Sequence, residues 1–113
     1  MELTTFAPQS SIAGLRIKGR FDAYEAPHVL TWLELAFEAK PRLIVINLAE
    51  VDFIDSSALA VLVKGLKRIR ERGGNLVLCE LPKPIRTVFE LTRLDKAFDL
   101  LATEQEALQM LVE

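Results

Sequence analysis

The chain has 113 residues, half of them apolar, which is enough for one compact domain with a buried core and too few for a second. Its formal net charge of −2 gives no broad positive surface for nucleic acid or membrane, and its single cysteine excludes an internal disulfide. The sequence begins without the basic and apolar segments of a signal peptide, and no apolar run is long enough to span a membrane. We therefore expect a single domain over residues 1–113, cytoplasmic, with no nucleic-acid partner and no direct membrane insertion.

The first part of the chain predicts two strands and a helix. Residues 2–6 form the first strand, and residues 12–19 form the second, joined to it by a hairpin, because apolar and charged residues alternate there. Residues 19–22 are interpreted as a turn in which Asp22 caps or redirects the chain. Pro27 suits the first turn of a helix that ends before Pro41. The apolar stripe of this helix consists of Val29, Leu30, Leu33 and Phe37.

A continuous apolar run, LIVINL at residues 43–48, is typical of a central strand covered on both faces. Residues 51–54 are interpreted as a polar turn, and Asp55 as the N-cap of a helix that begins at Ser56 and Ser57. The buried face of that helix is predicted to carry Leu59, Leu62, Val63, Leu66 and Ile69, and its wet face Lys64, Lys67, Arg68 and Glu71.

Small or apolar residues are also expected on the solvent side of this helix or at its border. Ala60, Val61 and Gly65 form this smooth patch, next to the two serines, and such a surface suggests docking of a partner. A phosphate on a serine at a helix N-terminus meets unpaired N–H groups and the positive end of the helix dipole. The alternative is that Asp55-Ser56-Ser57 is only a helix cap, since these residue types favour helix starts everywhere.

The second half of the chain completes an alternating order of strands and helices. Gly73 and Gly74 end the long helix, and residues 75–81 predict a strand parallel to residues 43–48. Pro82 and Pro84 lead into a third helix, which buries Ile85, Val88 and Phe89. Residues 97–101 predict an edge strand, and Thr103 with Glu106 a capping box that opens a last helix with Leu108 and Leu111 inward. The fold class is therefore α/β, with a mixed, mostly parallel sheet of about four to five strands and about four helices.

No constellation of residues predicts catalysis. The sequence has no Gly-rich phosphate loop, no cluster of metal ligands and no nucleophile paired with a histidine. His28 is the one histidine, and Cys79 lies in the apolar run LVLCEL, where a buried and inert thiol is expected. We predict a protein that is not an enzyme and has neither a cofactor nor a metal site.

The stretch Asp55-Ser56-Ser57-Ala58-Leu59-Ala60, after a short apolar strand, resembles the Asp-Ser-Ser-Gly-Leu-Gly element of the STAS domains of bacterial anti-sigma factor antagonists. Residues 19–22 match the Gly-x-hydrophobic-Asp turn of that family, and the resemblance spans nearly the whole chain. Ala58 and Ala60 replace two glycines, which is expected to stiffen the helix start and to add methyl groups where a partner's backbone approaches. Arg93 stands where the family has a glycine, so it is expected either to adopt a left-handed turn or to end the third helix differently.

The resemblance implies an anti-sigma factor antagonist that regulates transcription by partner switching. Unphosphorylated protein binds an anti-sigma factor that is itself a serine kinase, that kinase phosphorylates Ser56, and the modified protein is released until a serine phosphatase restores it. The expected neighbours of the site are Asp55, Ser57 and Asp22, and the expected partner-binding residues are Ala60, Val61, Lys64 and Gly65. Two other roles remain open: a STAS subunit of a membrane lipid-transport ATPase complex without phosphorylation, and a nucleotide-sensing module.

Overall fold

The computed structural model of the protein describes residues 1–111. Within that range the chain forms five strands, four α-helices and one short 3₁₀ helix. In chain order the elements are β1 (Glu2–Phe6), β2 (Ile12–Phe21), α1 (Ala26–Glu38), β3 (Leu43–Ile54), α2 (Ser56–Glu71), β4 (Asn75–Cys79), α3 (Lys83–Leu91), the 3₁₀ helix (Leu94–Lys96), β5 (Asp99–Leu101) and α4 (Glu104–Leu108).

The five strands form one sheet in the order β1-β2-β3-β4-β5. β1 is antiparallel to β2, and the other three pairings are parallel. The short β1–β2 connection allows a hairpin, whereas each parallel pairing requires a crossover, and a helix supplies it each time. The predicted mixed, mostly parallel sheet with helices is confirmed.

Buried side chains form two clusters, one on each side of the sheet. Ile44 and Ile46 of β3 belong to the larger cluster, which also contains the buried residues of α1, α2 and α3. Leu43 and Val45 belong to the smaller cluster, to which α4 contributes Ala107. Successive residues of a strand point to opposite faces, so β3 is covered on both sides, as its continuous apolar run predicts.

β2 and β3 run further than the sequence patterns indicate. Their parallel pairing continues to Phe21 opposite Ile54, with register shifts between Arg16 and Lys18 and between Gly19 and Arg20. The turns predicted at residues 51–54 and at residues 19–21 are therefore wrong, because both segments are strand. The extension has a functional consequence: the residues that follow these strands, Asp22 and Asp55, leave the same edge of the sheet side by side.

The later elements follow the sequence more closely. β4 ends at Cys79 and β5 begins at Asp99, so each is two residues shorter than predicted. Arg93 adopts the left-handed conformation with φ of 64°, directly after the C-cap of α3, which is the first of the two expected outcomes. Thr103 Oγ1 accepts a hydrogen bond from the Glu106 amide at 3.1 Å, as the capping-box pattern predicts. No helix within residues 1–111 has the length and apolar character needed to cross a membrane.

Candidate functional site

Asp55 is the single residue between the end of β3 and the start of α2. Its backbone is extended, with φ of −120° and ψ of −177°, which is the usual conformation of an N-cap. Its Oδ1 accepts from the Ala58 amide at 3.0 Å, and its backbone carbonyl accepts from the Leu59 amide at 3.0 Å. The predicted helix start at Ser56 with an Asp55 cap is confirmed.

The second carboxylate oxygen of Asp55 reaches the β2–α1 loop. Oδ2 accepts from the Ala23 amide at 2.9 Å, so one side chain ties the start of α2 to a loop 32 residues earlier in the chain. Nothing in the sequence pattern around Ala23 indicates this contact. Tyr24, the next residue, is 90% exposed and presents a large aromatic surface beside the site, which sequence reasoning also missed.

Asp22 organises the same loop from within. Its Oδ1 accepts from the amides of Tyr24 at 3.1 Å and Glu25 at 3.2 Å, and its Oδ2 accepts from Arg20 Nε at 3.2 Å. The backbone carbonyl of Asp22 accepts from the Ala26 amide at 2.8 Å at the start of α1. Asp22 is thus a structural residue of a loop that the Asp55 tether holds against the serines, and the structure brings together the site neighbours that the sequence indicates.

Ser56 and Ser57 occupy the first two positions of α2, and both are exposed. A helix leaves the amides of its first turn without carbonyl partners, and Asp55 Oδ1 accepts from one of them, that of Ala58. The Leu59 amide makes the first backbone bond of the helix, to the Asp55 carbonyl. The amides of Ser56 and Ser57 therefore remain directed at the exposed end of the helix. An anion bound to either serine would lie where the dipole of α2 favours negative charge.

The acidic side chains near the serines and along β3 differ in their charge partners. Asp22 Oδ2 lies 3.2 Å from Arg20 Nε, and Asp52 and Glu50 are exposed earlier in β3. Lys18 Nζ lies 3.8 Å from Glu50, while within residues 1–111 no Lys or Arg nitrogen lies within 4.0 Å of the Asp55 carboxylate. Asp55 is therefore a fixed negative charge beside Ser56.

The predicted docking patch is only partly at the surface. Ala60 and Lys64 are exposed and Val61 is half-buried, so these three are accessible. The placement of Gly65 on the solvent side is wrong, because Gly65 is buried where α2 contacts α1. A Cβ on Gly65 would lie 3.0 Å from Leu33 Cδ1 and 3.2 Å from Leu76 Cδ1, so its lack of a side chain serves packing.

The two alanines at family glycine positions, Ala58 and Ala60, also differ in their exposure to solvent. Ala58 is fully buried in the core, so its methyl group cannot meet a partner, and the expectation that it would is wrong. Ala60 is exposed, which keeps its methyl group on the accessible side of α2.

Cys79 is buried in the smaller core cluster, as expected of an inert thiol. Burial raises the pKa of this thiol to about 12, with a further contribution from the negative charges of Glu80 and Glu104. A thiol with that pKa is almost entirely protonated at neutral pH and is a poor nucleophile. His28 is exposed, with Nδ1 2.9 Å from Glu25 Oε2. Among residues 1–111 no group of three His, Cys, Asp or Glu side chains is arranged to hold a metal ion.

Comparison with known proteins gives consistent matches over most of the chain. A family model described as STAS domain matches residues 7–107. The anti-sigma-B factor antagonist of Listeria monocytogenes is 35% identical over 91 residues, which cover 80% of this chain and 79% of that protein.

Solved structures agree with this relationship. An anti-sigma-factor antagonist (STAS) domain protein from Planctomyces limnophilus superimposes with a TM-score of 0.84 at 27% identity, covering 95% of each chain. The Bacillus cell fate determinant SpoIIAA in its phosphorylated form superimposes with a TM-score of 0.76 over 96% of this chain and 97% of that one. At 20% identity, this last match shows a common fold alone.

Proposed function

The chain belongs to the STAS domain family, and we propose on that premise that it is an anti-sigma factor antagonist controlled by phosphorylation of Ser56. In its unmodified form it binds an anti-sigma factor, which is itself a serine kinase, and thereby frees a sigma factor. Phosphate on Ser56 ends that binding, and a serine phosphatase restores it. The relatives that match most of the chain are anti-sigma factor antagonists, which supports the role.

The observation that carries the proposal is the position of Ser56 next to the doubly bonded Asp55 cap. Ser56 is exposed to a kinase, and the amides of the first turn of α2 lie beside it. A phosphate there gains about 0.3–1 kcal/mol from the helix dipole and first-turn N–H groups, so the fold tolerates it. It also adds a charge of about −1.5 to −2 beside the carboxylate of Asp55.

The proposed partner surface extends from Ser56 along the exposed side of α2. Ala60, Val61 and Lys64 follow the serine at spacings that keep them near one face, and the exposed Tyr24 follows Ala23, whose amide bonds Asp55. Small residues allow a close backbone approach, and the aromatic ring supplies apolar contact area. A phosphate at the start of this surface places unpaired charge where a partner must desolvate it, which weakens the complex.

The test uses the anti-sigma factor kinase that binds the unmodified protein, with labelled ATP. Wild type and Ser57→Ala should take up label, Ser56→Ala should not, and Ser10→Ala serves as the matched control because Ser10 is an exposed serine on the β1–β2 hairpin. A pull-down should show that Ser56→Asp binds the kinase more weakly than Ser56→Ala does.

The alternative outcomes are distinct. Label that persists on Ser56→Ala and disappears from Ser57→Ala would move the modification to Ser57. Binding without any label on the wild type would contradict phosphorylation control and favour a constitutive STAS subunit.

A further inference from the structure

A second surface feature lies at the opposite end of α2 from Ser56. The loops that follow α1 and α2 enclose an open cleft of about 530 Å³, lined by Lys40, Pro41, Arg42, Arg72, Gly73 and Gly74, which we call the basic cleft. α2 has 16 residues, so at 1.5 Å per residue the cleft is roughly 24 Å from Ser56. A ligand in the basic cleft would not touch the serines.

The backbone of Lys40 is unusual. Its φ of 52° places it in the left-handed region directly after the C-cap of α1, where glycine is the favoured residue. Its amide donates to the Phe37 carbonyl at 3.0 Å, so the turn is fixed. Arg93 adopts the same conformation after α3, and at Lys40 this turn fixes where the backbone enters the rim of the basic cleft.

The floor of the basic cleft carries no side chains. Gly73 has φ of 81°, and a Cβ on Gly74 would lie 2.6 Å from the Arg42 carbonyl oxygen, so neither position readily accepts another residue. The Asn75 amide donates to that same Arg42 carbonyl at 3.1 Å. The two loops are therefore joined by backbone contacts, and the cleft between them stays open.

Three cations surround this floor without a carboxylate partner. Within residues 1–111 no Asp or Glu oxygen lies within 4.0 Å of the side-chain nitrogens of Lys40, Arg42 or Arg72. Arg72 donates one N–H to the Phe37 carbonyl at 3.0 Å, which is one of the five that a guanidinium has. Glu38 and Glu71 are also exposed near the ends of α1 and α2, but neither lines the cleft.

We propose that the basic cleft binds an acidic segment of a partner protein, through carboxylates that pair with Lys40, Arg42 and Arg72. An extended partner segment with neighbouring Asp or Glu residues can place one carboxylate on each side of the glycine floor. Arginine pairs with a carboxylate through two N–H groups. The carbonyl ends of α1 and α2 carry partial negative charge and disfavour anions at the cleft, so the attraction must come from the three cationic side chains. This interaction goes beyond the proposed function and does not depend on Ser56.

The test is a titration of the full chain with a hexaglutamate peptide at low salt, in which binding is monitored by the chemical shifts of the Gly73 and Gly74 amide NMR signals. Shifts should be confined to residues 40–42 and 72–74, and the affinity should fall as salt is added. Lys40→Gly and Arg42→Gln should each lower the affinity by about threefold or more, in the range of exposed ion pairs. Lys67→Gln, a cation of α2 outside the cleft lining, is the matched control and should leave the affinity unchanged.

Lys40→Gly also controls for folding, because glycine relieves the left-handed turn and should keep or raise the melting temperature while binding is lost. An equal loss with Lys67→Gln, shifts spread over all basic residues, or no shift at all would overturn the proposal. Tighter binding of tripolyphosphate or of a single-stranded oligonucleotide at the same residues would overturn it in favour of a phosphate ligand or nucleic acid. Ser56→Asp should bind hexaglutamate like the wild type, so failure of the proposed function leaves this result unaffected.

Discussion

Asp55 accepts one hydrogen bond inside α2 and one from the β2–α1 loop, and two substitutions separate these contacts. Asparagine keeps an acceptor oxygen for the Ala58 amide but turns an NH₂ group toward the Ala23 amide, and two donors cannot bond. Alanine removes both acceptors. Asp55→Asn therefore tests the tether alone, and Asp55→Ala tests the tether together with the cap.

The expected costs follow from the two bonds. Loss of the Ala23 bond, which is solvent-exposed and 2.9 Å long, should lower the free energy of unfolding by about 0.5–1.5 kcal/mol. Loss of an N-cap side chain costs about 0.5–2 kcal/mol. Asp55→Asn should thus destabilise the protein by about 0.5–1.5 kcal/mol and Asp55→Ala by about 1–3.5 kcal/mol, because alanine loses both contacts.

Urea unfolding gives the free energies, and amide hydrogen exchange locates the change. In both Asp55 variants the Ala23 amide should exchange roughly fivefold faster or more, which corresponds to about 1 kcal/mol. Thr103→Ala is the matched control, because it removes an N-cap bond to the Glu106 amide, 3.1 Å long, from α4 instead. It should cost about 0.5–2 kcal/mol and leave exchange at Ala23 unchanged.

Two results would refute this reasoning. One is an unchanged exchange rate for the Ala23 amide in Asp55→Ala, which would mean that the loop is held by other contacts. The other is an equal loss of stability in Asp55→Asn and Asp55→Ala, which would mean that the cap contributes nothing measurable.

Three further predictions concern the core and the sheet. Leu62→Ala should lower the free energy of unfolding by about 2–5 kcal/mol in urea melts, because Leu62 is fully buried. Val61→Ala should cost far less, because Val61 is half-buried. Equal, mild losses would contradict the predicted orientation of α2, with Leu62 facing the core. Hydrogen bonds from Arg16 lower the pKa of the Glu104 carboxyl, so this pair stabilises the fold above the unfolded carboxyl pKa, and the stabilisation is lost as the pH falls through the lowered value. Arg16→Gln should therefore destabilise the protein near neutral pH and progressively less in acid. If the difference in the free energy of unfolding between wild type and variant does not narrow as the pH falls, the prediction is wrong. Since burial raises the pKa of the Cys79 thiol to about 12, folded protein at about pH 8 should resist a thiol reagent that reacts at once in urea, and rapid native labelling would show that the cluster opens.

Local patterns suffice for the helix starts and the order of elements. Asp55 and Thr103 are caps with their acceptors where the residue types predict them, because a cap involves only the first turn of its own helix. The ends of β2 and β3 need more than local information. At each register shift β3 has one residue more than β2, between Asn47 and Glu50 and between Val51 and Phe53, which interrupts the alternation in β3. Pairing between β2 and β3 keeps both strands extended to Phe21 and Ile54.

Gly65 carries a signal in the sequence that its small size obscures. It lies three residues after Leu62 and four before Ile69, which is the spacing of the buried stripe, but a residue without a side chain adds no apolar character to that stripe and so predicts the solvent side or its border. The contact between Asp55 and Ala23 has no such signal. A backbone amide donates in almost any sequence, and only the fold brings these two residues together across 32 positions.

The construction of the site decides how a phosphate on Ser56 would act under the proposed function. Asp55 alone joins β3 to α2, and its carbonyl and both carboxylate oxygens already accept N–H groups from Leu59, Ala58 and Ala23. The β2–α1 loop beside the serine is fixed by the Ala23 bond to Asp55 and by the amides that Asp22 accepts, so the modification has little conformational freedom to work on. Its effect must then come from charge, about −1.5 to −2, placed beside a carboxylate that cannot turn away. Release of the partner would follow from repulsion and desolvation at a surface whose shape stays the same.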